Sequence, residues 1–355
     1  MISSNTVSVI RRGLLKGMGA ASGLALSGSL LSVSKALAAE TYEVNMQLGW
    51  LASNGILGEV AADKLGYYSD AGLSLNIIPG GPNIDGVASV ASGAANLGSI
   101  SSSPSLMLAR AAGIPIKCIA AGYQQHPFTY FSLKGNPVRE PKDLVGKKVA
   151  TQGTARILLR ALLAKNGISE DDVEVSVMGG DMAALMTGQV DVVTGWNTNI
   201  NALSVLADQR VDMTLWDAGI QLYANPYYVT DATLAENRNK VEDMIRASAK
   251  GWGWVHDNPQ QAVEFLVERY PNMDLEAEKK AVDLIVAFSF NENTAKAGWG
   301  TMTAENWQAQ IDIYDQLGQF EGEAPKMADL VDFSVLDATT QIRNVHCNRK
   351  FDARY

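Results

Sequence analysis

The sequence predicts an α/β protein of two βα lobes, joined by a hinge of two chain crossovers, with a ligand cleft between them. One βαβ unit opens the chain, with a strand at 44–48, a helix at 57–64 and a second strand at 75–78. Two later segments, 88–97 and 183–192, repeat the order helix, glycine, strand, as two similar lobes would. Without an N-terminal leader the chain has about 317 residues, which is more than one hydrophobic core comfortably holds.

The first 38 residues have the pattern of a signal peptide. Arg11 and Arg12 begin a charged segment, a Gly/Ser/Ala-rich apolar run follows, and residues 36–38 form an A-x-A cleavage site. The paired arginines indicate the twin-arginine route, with the general secretory route as the alternative because Ile10 stands where Ser or Thr is usual. Frequent glycines and serines interrupt the run too often for a membrane-spanning helix. We therefore expect cleavage after Ala38 and export to the periplasm.

Composition and charge exclude several functions. The sequence has 29 basic and 38 acidic residues and a formal charge of −9, and four of the basic residues lie in the predicted leader. Nucleic-acid binding needs a basic surface, so no nucleic-acid partner is expected. Cys118, Cys347 and the three histidines lack zinc or haem spacing, so we predict no metal and no cofactor. The two cysteines either form a disulfide or are unrelated thiols.

The lobe boundaries follow from two predicted crossovers, near 123–128 and 223–228. We assign residues 39–124 and 226–342 to lobe 1 and residues 125–225 to lobe 2. Lobe 1 is therefore discontinuous in sequence.

The last third of the chain is predicted to be helical, because its apolar residues recur with helical spacing. The predicted helices cover residues 237–255, 259–270, 275–288 and 305–317. Residues 343–355 have no such periodicity and are expected to form a flexible tail.

Trp50 stands at the carboxyl end of the first predicted strand, in a polar loop. Ligands of parallel α/β sheets bind outside the carboxyl ends of the strands, so we predict that the indole stacks on a flat ligand ring. The alternative is a core tryptophan, since indoles are often buried for packing alone. Asn54, in the same loop, is a ligand candidate or a cap for the following helix.

Three consecutive serines, Ser101, Ser102 and Ser103, end another strand of lobe 1, and Pro104 marks a helix start. Hydroxyls and free backbone N–H groups at such a start can hold a polar ligand. One serine is enough to cap the helix. A binding role is therefore predicted for at least one of the others.

Lobe 2 carries its candidates at predicted strand ends and helix starts. Gly153 and Thr154 open one helix, and Asp181 stands before the next, as a ligand contact or a helix cap. Trp196 and Asn197 directly follow a strand. These groups would face the serines of lobe 1 across the cleft.

Several motifs together resemble the family of periplasmic binding proteins for thiamine-pyrimidine precursors, flavins, sulfonates and nitrate. They are G-W at 49–50, I-P-G-G-P at 78–82, Q-Q-x-P at 124–127, P-K-D-L-x-G-K-K-V at 141–149 and G-Q-V-D at 188–191. The resemblance implies a type II-like periplasmic binding protein fold. It also implies a monomeric receptor of an ABC importer, whose partners are a small-molecule ligand and the ABC permease, and which closes on its ligand.

The motifs leave three functions open. The G-W, I-P-G-G-P and Q-x-P motifs favour a small heteroaromatic ligand, either a pyrimidine thiamine precursor or a flavin. The alternative is a sulfonate such as taurine, or nitrate, in which case Arg156 would meet the anion. A secreted enzyme related to the fungal pyrimidine synthase is disfavoured, since the chain has no cysteine cluster and none of the common hydrolase or nucleotide-binding motifs.

The predicted site is thus a ligand-binding one, with no catalytic residue. Its members are Trp50, Asn54, Ser101, Ser102, Ser103, Gln125, Gly153, Thr154, Asp181, Trp196, Asn197 and Tyr227. Gln125 enters through the Q-Q-x-P motif, and Tyr227 either packs in the hinge or faces the cleft.

Overall fold

The structure, a computed structural model, describes residues 41–81, 84–177 and 181–343. The predicted signal peptide, Cys347 and the tail beyond Arg343 lie outside the described residues. No helix in these described ranges is both long enough and apolar enough to cross a membrane.

The first sheet has five strands in the order β2-β1-β3-β10-β4. These strands are β1 (Tyr42–Leu48), β2 (Leu73–Ile78), β3 (Leu97–Ser99), β4 (Ile116–Tyr123) and β10 (Ala224–Thr230). β1 pairs in parallel with β2 and β3, whereas β10 runs antiparallel to both β3 and β4. The chain therefore leaves this sheet after β4 and returns to its middle with β10.

The second sheet also has five strands, in the order β7-β6-β8-β5-β9. They are β5 (Phe128–Leu133), β6 (Lys148–Thr151), β7 (Glu174–Val177), β8 (Val192–Trp196) and β9 (Arg210–Thr214). β6 is parallel to β7 and β8, and β5 is antiparallel to β8 and β9. All strands of this sheet lie between β4 and β10 in sequence, which is the connectivity of two sheets joined by two chain passages.

Helices flank both sheets. In the described residues they are α1 (Leu57–Lys64), α2 (Tyr67–Asp70), α3 (Gly86–Ala91), α4 (Ser103–Ala111), α5 (Arg156–Lys165), α6 (Ala183–Met186), α7 (Ile200–Leu203), α8 (Asp231–Glu236), α9 (Arg238–Asp257), α10 (Pro259–Arg269), α11 (Leu275–Ser289), α12 (Glu292–Ala297), α13 (Ala304–Gln316), α14 (Met327–Leu330) and α15 (Ser334–Arg343). Short 3-10 turns occur at Asn54–Ile56, Pro141–Leu144, Gly153–Ala155, Glu170–Asp172 and Ser204–Gln209.

The predicted fold class is confirmed, and α1 has the predicted bounds. The predicted second crossover, residues 223–228, is mostly part of the strand β10. Pro226 hides the strand in the sequence, because proline lacks the N–H that a ladder needs. The exact lobe boundaries stay a prediction.

The prediction that residues 343–355 form a flexible tail is wrong for Arg343. Arg343 is the last residue of α15 and is only 5% exposed. Its guanidinium donates to the carbonyl oxygens of Trp299 and Leu336, each at 2.8 Å. These bonds hold the end of α15 against the body of the protein.

Helices α1 and α9 pack at unusually short range beside the first sheet. A Cβ added at Gly58 would lie 2.1 Å from Cδ1 of Trp252, and one at Gly251 would lie 2.0 Å from the carbonyl oxygen of Gly58. Only glycine fits at both positions, so the two backbones can approach closely. This contact buries Glu59 of α1 completely.

Candidate ligand-binding cleft

A cavity of about 810 Å³ is lined by residues from both sheets. Leu48 and Ser99 bring the carboxyl ends of β1 and β3 to its wall, and Trp196 brings that of β8. Phe128 and Asn225 add the starts of β5 and β10. A cavity at this place in an α/β fold, of a size suited to a small organic molecule, is the expected ligand site.

Six of the predicted site residues line this cavity: Trp50, Asn54, Ser101, Ser102, Thr154 and Trp196. They lie at or after the ends of strands from both sheets, as the cleft hypothesis requires. Their contacts with a ligand stay a prediction.

The backbone of Trp50 is bonded to Gly80, a residue of the I-P-G-G-P motif. The N–H of Gly80 donates to the carbonyl oxygen of Trp50 at 2.9 Å. A Cβ at Gly80 would lie 2.3 Å from the carbonyl oxygen of Leu48 and 2.7 Å from the Trp50 nitrogen. The glycine is therefore required for the close approach of these two loops, which gives the motif a structural reason.

The two tryptophans on the wall have different surroundings. Trp196 packs against the rings of Tyr123 and His126, with centroid distances of 5.9 and 5.6 Å. In the described ranges no aromatic ring packs on Trp50, which is half-buried. Both tryptophans are partly exposed, but only Trp196 has a ring partner in the described ranges, so the faces of the Trp50 indole are not covered by another described aromatic ring.

The structure places the other six predicted residues off the cavity wall: Ser103, Gln125, Gly153, Asp181, Asn197 and Tyr227. Ser103 is fully buried, and its Oγ donates to Oε1 of Gln310 at 2.5 Å. Tyr227 is also buried, and its Oη donates to Oε1 of Glu59 at 2.6 Å. Both hydroxyl groups are therefore engaged in hydrogen bonds within the protein core.

The remaining off-wall positions have local structural roles. Oδ1 of Asp181 accepts the N–H of Ala183 at 2.9 Å, as a helix cap does. The N–H of Asn197 donates to the carbonyl oxygen of Pro127 at 3.1 Å, next to the first crossover. Gly153 opens the 3-10 turn before α5, and Gln125 is half-buried in the crossover itself.

The helix caps also differ from the predicted ones. Ser53 caps the turn before α1 by accepting the N–H of Gly55, so Asn54 is free for another role. Ser102 stands at the N-cap of α4, but its hydroxyl makes no capping bond. Ser102 Oγ is in fact a buried oxygen with no hydrogen-bond partner among the described residues, in a side chain that lines the cavity.

His126 is a wall residue that the sequence reasoning missed. Its Nδ1 accepts the N–H of Phe128 at 3.2 Å, and this assigns the proton of the neutral ring to Nε2. Burial lowers the pKa of His126 to about 3, so the ring is neutral near pH 7. The only sequence signal was its position in the Q-Q-x-P motif.

Two further wall residues, Asn225 and Glu278, were also missed. Asn225 has a positive φ of 47°, a conformation that asparagine tolerates better than most residues. Glu278 lies on α11, and its Oε2 accepts a 2.8 Å hydrogen bond from Nδ2 of Asn54. The helical pattern around Glu278 gave no sign that α11 reaches the cavity.

The charges on the wall are negative. Asp85 and Glu278 line the cavity, whereas none of its described lining residues is lysine or arginine. Arg156, the predicted anion contact, is not on the wall, and its guanidinium pairs with Glu170 at 2.5 Å. Within the described ranges, no group of three or more His, Cys, Asp or Glu side chains could hold a metal ion.

The two sheets, with the cavity lined by residues of both, have the periplasmic binding protein fold. A family model described as NMT1/THI5 like matches residues 53–262. The chain therefore belongs to the NMT1/THI5-like family, and the resemblance seen in the sequence is confirmed.

Named relatives include binding proteins for two kinds of heteroaromatic. A riboflavin-binding protein of Chloroflexus aurantiacus is 30% identical over 215 residues, which are 58% of this chain and 61% of that protein. The match thus spans less than two thirds of that relative. A formylaminopyrimidine-binding protein of Halalkalibacterium halodurans is 26% identical over 297 residues, or 79% of this chain and 88% of the relative.

Solved structures share the fold. The alkanesulfonate-binding protein of Xanthomonas axonopodis pv. citri, bound to MOPS, superimposes with a TM-score of 0.63 at 18% identity, over 83% of this chain and 100% of that one.

The family also contains proteins named as enzymes, such as a 4-amino-5-hydroxymethyl-2-methylpyrimidine phosphate synthase of Schizosaccharomyces pombe, 22% identical over 78% of this chain and 83% of that protein.

Proposed function

We propose that the protein is the solute-binding component of an ABC importer and that it captures a small heteroaromatic, a pyrimidine or a flavin, in the cleft. The observation that carries the proposal is the composition of the cavity wall. It combines the accessible indole of Trp50 with hydroxyl, amide and carboxylate groups, and its described part carries no cationic side chain.

This wall suits a flat ligand better than a small anion. An indole offers an apolar face and an electron-rich ring for stacking. A sulfonate or nitrate would instead need cations or several converging N–H donors. The single arginine predicted for that task is paired with Glu170. The sulfonate-binding neighbours support the fold but not their ligand, since sequence identity to them is low.

The wall also supports binding rather than catalysis. Its ionisable groups are Asp85, His126 and Glu278, and His126 is kept neutral by burial. No nucleophile on the described wall is hydrogen-bonded to a base, and the buried Cys118 does not line the cavity. We therefore infer a non-enzymatic receptor, exported to the periplasm, that delivers its ligand to a membrane permease.

Calorimetric titration of the mature protein with riboflavin, a 4-aminopyrimidine and taurine tests this proposal. We expect binding of the pyrimidine or of riboflavin, and weak or no binding of taurine. Native mass spectrometry of the protein from its own host would identify a retained ligand. Tight taurine binding, with no binding of either heteroaromatic, would overturn the heteroaromatic assignment.

A further inference from the structure

Glu278 reaches the cavity from a part of the chain that the family match does not include. The matched residues end at 262, whereas Glu278 lies on α11 (Leu275–Ser289). Its side chain is half-buried and lines the cavity together with Asn54. The ligand site is thus completed by a helix outside the segment that defines the family.

The Glu278 carboxyl group accepts one hydrogen bond from the described part of the protein. Nδ2 of Asn54 donates to Oε2 at 2.8 Å, and Asn54 itself is only 8% exposed. No hydrogen bond or ion pair in the described part of the chain engages Oε1. A carboxylate can accept about four hydrogen bonds, so the described part of the protein leaves most of the accepting capacity of Glu278 unused.

We propose that Glu278 determines ligand specificity by accepting hydrogen bonds from N–H groups of an amino-substituted heteroaromatic. The inference rests on the proposed function and narrows it, because it favours an aminopyrimidine over a ring system without an amino group. Asn54 acts as the positioning residue that orients the carboxyl group.

The electrostatics of the wall agree with this role. A partly buried carboxylate needs donors or a counter-charge, and the described wall offers Asn54 but no lysine or arginine. Burial raises the pKa of Glu278 despite the bond from Asn54, so further hydrogen-bond donors would favour the ionised form. Ligand N–H donors would supply the missing compensation through charge-assisted hydrogen bonds, which are stronger than neutral ones.

A matched pair of ligands and a matched pair of variants test the inference. The ligands are 4-amino-5-hydroxymethyl-2-methylpyrimidine and the analogue with a methyl group in place of the amino group. The variants are Glu278→Gln and, as control on an exposed position of the same helix, Glu276→Gln. Affinities come from calorimetry, and melting temperatures report folding.

We expect the wild type and Glu276→Gln to prefer the amino ligand at least tenfold, the effect of about one charge-assisted hydrogen bond. Glu278→Gln should lose most of this preference by weakening the amino ligand alone. An unchanged preference in a folded Glu278→Gln variant would overturn the inference. If that variant does not fold, the affinities of the wild type for the two ligands are the test. Equal wild-type affinities would also overturn the inference.

Failure of the proposed function gives a different result. If the wild type binds riboflavin but neither pyrimidine, the receptor function stands and the role of Glu278 falls. If the wild type binds no pyrimidine and no flavin, the heteroaromatic function itself is wrong, and the inference fails with it.

Discussion

Individual side chains around the cleft differ in whether the protein already uses their polar or aromatic groups. The hydroxyl groups of Ser103 and Tyr227 already donate hydrogen bonds to Gln310 and Glu59. Trp50 has no ring partner in the described ranges and borders the cavity. The sequence could place polar and aromatic residues at strand ends, but it could not show which of them the core would engage.

Replacing Trp50 by alanine should weaken a heteroaromatic ligand at least tenfold. The variant loses ring stacking of roughly 0.5–1.5 kcal/mol and the burial of apolar area at about 25 cal/mol per Å², and about 1.4 kcal/mol equals one decade in affinity. Calorimetric titration measures the change, and circular dichroism must show that the variant is folded. Arg156→Ala is the comparison, and its affinity should stay near that of the wild type because Arg156 pairs with Glu170. The reverse order of effects would favour an anionic ligand.

At the scale of elements, the contact between α1 and α9 leaves no room for a side chain at Gly58 or Gly251. Gly251→Ala should destabilise the protein by roughly 1–3 kcal/mol, the usual cost of overpacking. The added Cβ would meet backbone of α1 and Cβ of Ala62 at 2.7 Å, so the helices must separate. Urea unfolding measures the loss. Gly135→Ala is the matched control, since its Cβ would meet nothing within 4 Å, and equal stability of the two variants would contradict the prediction.

The same helix pair buries Glu59, and this makes stability depend on pH. Burial raises the pKa of Glu59 to about 7, although Tyr227 and Trp252 donate to its Oε1. Its other ionisable neighbours are Tyr68 and Tyr123. The folded state thus binds a proton that the unfolded state releases above its ordinary pKa of about 4.5, so stability falls as the pH rises from about 4.5 to 7.

Glu59→Gln should remove this pH dependence, because an amide of the same shape carries no charge. We expect the melting temperature of the variant to exceed that of the wild type at pH 8 by more than at pH 5. Each pKa unit corresponds to roughly 1.4 kcal/mol. The exposed Glu236→Gln serves as control and should show no such trend. A difference that is the same at both pH values would mean that Glu59 ionises normally in the folded state.

The sequence predicted those helices and strands whose residues show a clear local pattern. The predicted bounds of α1 match, because its apolar residues are bounded by clear stop signals. β5 was missed because its run is buried on both faces and shows no alternation, and β10 because Pro226 argues against a strand. Long-range contacts such as that between Asn54 and Glu278 join residues 224 positions apart and leave no local pattern.

Two connecting segments join the two halves of the whole molecule, one between β4 and β5 and one between β9 and β10. This connectivity allows a hinge motion that brings both walls of the cavity onto the ligand. Small-angle scattering should therefore give a smaller radius of gyration when a bound heteroaromatic is saturating. Trp50→Ala should need at least a tenfold higher ligand concentration for the same decrease in radius. A wild-type profile that does not change at saturation would argue against closure.

The acidic wall of the cavity has a consequence for the rate of capture. A neutral heteroaromatic feels little long-range field from Asp85 and Glu278, so its association gains no electrostatic steering and should hardly respond to ionic strength. Small anions should by contrast be repelled by these two carboxylates, and added salt would screen that repulsion. Stopped-flow rates at low and high salt should thus stay equal for the neutral solute, and the protein would take it up at the same speed in dilute and in saline surroundings.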